Sequence, residues 1–143
     1  MAIKTFHELV QTVANHLAGR AVIIRWQKPA EKHLLAAAFK ANGRAVIEIT
    51  PCLDNRTFVT ALAHEAAHIR YQFSGMVDLA QAQPPAQPTA AHLVGMKKQA
   101  YQTNEEQADF ATRLWMAKAA PVAKYLEGSE AEVLLRALLT IKP

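Results

Sequence analysis

His64 and His68 stand four residues apart in the run His64-Glu65-Ala66-Ala67-His68. If this stretch is helical, the two imidazoles lie on one face, about 6 Å apart along the axis. Two neutral imidazoles so placed can share one zinc ion, and Glu65 can hold a water beside that ion and take its proton. The same five residues also arise by chance in helices, so their meaning depends on whether the chain supplies a further ligand.

A catalytic zinc commonly takes three protein ligands and keeps one position open. The run Asn104-Glu105-Glu106-Gln107-Ala108-Asp109 offers the third. Glu105 can ligate from a second helix, and Asp109, one turn later, can accept a hydrogen bond from the free N–H of a ligand histidine. Glu106 competes with Glu105 for the ligand position, and the spacing to Asp109 favours Glu105. A blander account makes these acids a dipole-favoured first turn and the histidines ordinary core residues. Against it stand Ala61, Ala66, Ala67, Ala108 and Ala111, small residues that let two helices approach until side chains from both meet. Other zinc patterns fit less well. Tyr71 and Ser74 occupy the Gly and His positions of the extended HExxHxxGxxH form. A histidine third ligand, as in SprT-like proteases, could only be His92, which has no companion motif. Tyr71 and Tyr101 are candidate hydrogen-bond donors to an oxyanion.

These residues need elements to hold them. Phe6, Leu9, Val10, Val13 and Leu17 predict a helix over 4–18, stopped by Gly19. Residues 21–26 are β-branched and aromatic, and predict a strand ended by Lys28–Pro29. Asn42–Gly43 between two apolar runs predicts a hairpin over 33–50, with Val46, Glu48 and Thr50 on one face and Ile47 and Ile49 on the other. One arm of that hairpin offers an edge along which an extended peptide could lie. Asp54 or Asn55 caps a helix over 56–73, with Phe58, Leu62, Ile69 and Phe73 as its packing stripe and Gly75 as its stop. The proline-interrupted stretch 80–90 reads as a loop, either a lid or a plain connection. A second long helix is expected from about 97 to 118, ending before Pro121, and a last one after Ser129, with Glu132 completing a capping box.

Composition bounds the rest. A chain of 143 residues, 51% hydrophobic and 20% charged, suits one globular domain over 1–143. The single Cys52 excludes an intrachain disulfide framework and fits a reducing compartment. The N-terminal stretch is broken by His7, Glu8 and Gln11, and no apolar run approaches the length of a membrane span. A cytoplasmic location away from membranes is therefore expected. The net charge of +4 includes no cationic run interleaved with aromatics, only the pair Lys97–Lys98, so it points weakly to nucleic acid.

The strand VIEIT, the helix FVTALAHEAAHIRY and the helix NEEQADFATRLWM together resemble the ImmA/IrrE-type metallopeptidases, a gluzincin-like family, over about residues 45–117. The resemblance implies zinc ligands at His64, His68 and Glu105 and catalysis by Glu65. It also implies a protein substrate such as a transcriptional repressor or regulator in a stress-response or mobile-element setting. Here the separation between the two helices is long, and Glu106-Gln107 departs from the family's usual Glu-Ala-Asp.

The expectation is thus an α+β domain: a small sheet with a β-hairpin on a zincin-like pair of helices, plus N- and C-terminal helices. It would hold one Zn2+ per chain and act as a hydrolase, a zinc metalloendopeptidase cutting a protein or peptide substrate. The alternatives are a non-catalytic, antirestriction-like regulator that binds a protein or DNA partner, and a zinc enzyme acting on non-peptide amides. An intact Glu65 counts against the first, since a purely structural zinc has no use for a base.

Overall fold

The structure, a computed structural model, describes residues 5–31, 34–72 and 90–142; for Gln72, residues 90–104 and Gln107 it describes the backbone alone. The chain is α+β, with the order α1 (Phe6–Ala18), β1 (Val22–Arg25), β2 (Ala36–Ala41), β3 (Arg44–Ile49), α2 (Asn55–Gln72), α3 (Ala90–Ala123) and α4 (Glu130–Leu138). Phe73, Gly75 and all but the last residue of the expected 80–90 loop lie outside the described residues. Among the described residues no helix is long and apolar enough to cross a membrane.

Local chemistry explains most boundaries. Thr5 caps α1 by accepting from the Glu8 N–H, and Gly19 ends it with φ 71°, the left-handed conformation that glycine adopts without strain. Asp54, one of the two expected caps, starts α2 by accepting from the Thr57 N–H at 3.0 Å. Ser129 caps α4 through the Glu132 N–H, but the reciprocal half of the capping box is replaced by an ion pair between Glu132 and Arg136 at 3.0 Å. The expected end of α3 before Pro121 is corrected: the helix begins at Ala90 and continues through the proline to Ala123. Proline removes one N–H from the ladder, yet it falls in the last turn, and the carbonyl it leaves belongs to the exposed Ala117, where water can replace the bond.

The sheet has the order β1-β3-β2, with β1 parallel and β2 antiparallel to β3. Asn42 and Gly43, with φ 53° and 76°, form the tight hairpin turn. β3 is central, and this corrects the expectation of a single buried face: Val46 is as fully buried as Ile47 and Ile49. Its neighbours in register are Ile23 and Phe39, which close over it on the sheet's outer face.

β2 is a free edge. The Leu35 carbonyl accepts from the Thr50 N–H, so Leu35, Ala37, Phe39 and Ala41 turn their backbone groups toward β3. By the same alternation Ala36, Ala38 and Lys40 direct theirs outward.

α2 lies at the centre, packed on α1, α3, α4, β2 and β3. Leu9, Val13, Leu17, Ile47, Leu62, Ile69, Leu135 and Leu138 fill the core around it. Small residues on α2 and α3 are buried, Ala63, Ala66 and Ala67 on the first and Ala108 and Ala111 on the second, while Ala61 is half-buried, and α2 and α3 pack against each other. Enlarging this seam should separate the helices. Ala108→Leu is expected to cost about 1–3 kcal/mol of stability and to weaken metal binding although no candidate ligand is altered. Urea denaturation and a metal titration on the same variant test both effects.

Candidate metal centre

α2 presents His64 and His68 one turn apart, and α3 brings Glu105 across to meet them. Glu105 Oε2 lies 3.0 Å from His64 Nε2, and Oε1 lies 3.1 Å from His68 Nε2. The two Nε2 atoms are themselves 3.0 Å apart. On the far side of the His64 ring, Nδ1 lies 3.0 Å from Asp109 Oδ1. Glu106 is exposed, so of the two adjacent glutamates it is Glu105 that faces the histidines.

The chemistry of this cluster follows from its lone pairs. Asp109 Oδ1 stands as an acceptor beside His64 Nδ1, an arrangement that favours the proton on that nitrogen. That leaves the Nε2 lone pair of His64 directed at a carboxylate oxygen and at another imidazole nitrogen. Such acceptors converge favourably around a shared cation or a shared proton. Four ligands at the zinc–nitrogen distance of about 2.0–2.1 Å stand about 3.3 Å apart at the corners of a tetrahedron. The observed separations fall within a few tenths of an ångström of that edge. The residues therefore fit a zinc ion, held by His64, His68 and Glu105. A proton on Nε2 of His64 can substitute for the cation, so acid should compete with metal.

Glu65 completes the set. One of its carboxylate oxygens lies within 4.8 Å of a ring nitrogen on each of His64 and His68. It is 9% exposed, and burial pushes its carboxyl up to about 8 from an ordinary 4.5, with the nearby Glu105 carboxylate adding to the rise. The Ala38 backbone N–H, directed outward from the β2 edge, donates to Glu65 and partly offsets the rise. This contact was not legible in the chain, because a backbone donor leaves no mark on residue type. Exposure grades across the site: the side chains of His64 and His68 are 19% and 12% exposed, those of Glu105 and Asp109 34% and 58%. The α2 groups are the more buried, and the α3 groups face water.

Tyr71 stacks on Trp115 with ring centroids 6.3 Å apart, a contact with α3 one turn beyond His68. Tyr101 and His92 lie on α3, but their side chains fall outside those described. Comparison with family models, curated proteins and solved structures gives no match for this chain.

Replacing the acids one at a time separates their roles. Glu105→Ala should lose most of the metal affinity, Asp109→Ala should lose about 10–100-fold, and Glu106→Ala should bind nearly as the native chain does. Metal retained by Glu105→Ala but lost by Glu106→Ala would shift the ligand register by one residue.

The raised Glu65 carboxyl also carries a pH signature. Its folded value lies above its unfolded one, so the metal-free fold binds the proton more tightly than the unfolded chain. That stabilisation is complete below the ordinary value of 4.5 and is lost as pH rises through about 8. Metal-free native protein should therefore lose stability over this window more steeply than metal-free Glu65→Gln, as denaturation at a series of pH values would reveal. Equal slopes would mean that Glu65 is ionised in the metal-free fold.

Proposed function

We propose that this chain is a zinc metallopeptidase of the ImmA/IrrE-like kind that its motifs resemble. The convergence of His64, His68 and Glu105, with Asp109 orienting the first, carries the reading. A zinc ion bound there supplies a Lewis acid that polarises a carbonyl and acidifies a water. Glu65 is placed to accept that water's proton as the oxygen attacks the peptide carbonyl, and then to return it to the departing amine. The cation lowers the affinity of Glu65 for a proton, so the carboxylate needed as base is favoured in the metal-loaded protein. The Ala38 N–H donates to that carboxylate at the sheet edge, where the outward-facing backbone of Ala36 can pair with an extended substrate main chain.

The burial of Glu65 favours a catalyst over a non-catalytic metal protein. Desolvating a carboxylate is costly, and such groups concentrate where their proton affinity is used. A protein or peptide substrate of the regulatory class, and a cytoplasmic setting consistent with the single cysteine, belong to the same proposal.

Mass spectrometry of unfolded and regulatory protein substrates incubated with zinc-loaded protein tests it. Native protein should produce new termini. Glu65→Gln should keep the metal and lose about 100–10,000-fold in rate, the range of general-base contributions. Hydrolysis surviving in Glu65→Gln would remove this residue from the mechanism.

A further inference from the structure

Beyond the metal ligands, the same face of α2 continues toward its N-terminus as an open hollow of about 430 Å³, lined by Asp54, Arg56, Thr57, Thr60, Ala61 and His64. Its lower end is a candidate metal ligand, so whatever occupies it is continuous with the cleavage site. The polar groups in it are not equivalent. Both carboxylate oxygens of Asp54 are engaged by Thr57, one by its N–H and one by its hydroxyl. Those bonds hold the Asp54 carboxyl below its ordinary value and commit it to capping the helix. The Arg56 guanidinium forms no ion pair among the described residues, and no hydrogen bond from the Thr60 hydroxyl is found there. Arg56, Thr60 and His64 succeed one another at four-residue steps, one turn each along a single face.

We infer that this hollow is a substrate subsite selecting an acidic side chain, with Arg56 as its charged partner and Thr60 as a hydroxyl donor beside it. The inference rests on the peptidase reading and names the class of substrate. Arg56 precedes His64 by eight residues, about 12 Å of helix. An extended peptide covers that distance in three or four residues at about 3.3 Å each. The acidic residue therefore lies three or four positions from the cleaved bond. Arg56 is exposed, so the selection is modest and salt-sensitive, about three- to fivefold.

Zinc-loaded Glu65→Gln protein and fluorescent nonapeptides provide the test. A single Glu is moved through an uncharged sequence, each peptide is paired with its Gln counterpart, and binding is followed by anisotropy. One position should favour Glu by about three- to fivefold at low salt. The preference should vanish on adding Arg56→Gln and turn toward Lys on adding Arg56→Glu. Equal binding of every Glu and Gln pair, a preference that survives Arg56→Gln, or no peptide binding at all would each overturn the assignment. Hydrolysis of the same peptides by native protein is scored separately. Glu selection without cleavage leaves the subsite standing and removes the peptidase; cleavage by native protein with no Glu selection in the binding series does the reverse.

Discussion

Electron-rich atoms of like polarity face one another where α2 meets α3, and the rest of the fold is arranged to keep them there. The two imidazole nitrogens and the two oxygens of Glu105 are held within 3.0–3.1 Å contacts, a spacing that only a cation or a proton makes favourable. Separation of the two helices would break this cluster. Alanine packing along the seam opposes that movement, because small side chains let the two backbones approach and leave little room to slide. α1, α4 and the sheet also pack on α2, so the histidine-bearing helix is held by neighbours on several sides.

The site is asymmetric in its access to water, and the asymmetry has a chemical use. The histidines and Glu65 belong to a helix embedded in the core, where low dielectric strengthens each charge interaction. Glu105 and Asp109 reach in from a helix whose outer face is solvated. That asymmetry would admit water from the α3 side toward Glu65, the proposed base, on the more buried side. The Ala38 N–H favours the charged form of Glu65 and offsets part of the effect of its burial. The same edge strand that could receive a substrate main chain thus also orients the proposed base, tying substrate position to proton transfer through a single β-strand.

The constellation on α2 was legible from residue types alone, because four-residue spacing in a helix fixes which side chains share a face. The stops at Gly19 and Asn42–Gly43, and the caps at Asp54 and Ser129, were legible for a similar reason: each is decided by one residue's φ preference or one short side-chain hydrogen bond. The α+β class followed from the change in hydrophobic period along the chain. Glu105 was distinguishable from Glu106 only through its spacing to Asp109, a local relation that anticipates which carboxylate points across the seam.

Tertiary structure decided whatever depends on partners distant in the chain. Strand periodicity suggested a one-faced β3, but its place between β1 and β2 buried Val46 as well, since Ile23 and Phe39 come from other strands. Pro121 reads locally as a helix stop, yet the packing of α3 carries the helix through it, and an exposed carbonyl absorbs the lost bond. The Ala38 N–H reaches Glu65 because β2 is the outer strand among the described residues and the pairing phase turns that residue away from β3. Residue identity determines local angles and the faces they create. Which backbone groups and side chains arrive opposite those faces is set by long-range packing, which no local spacing encodes.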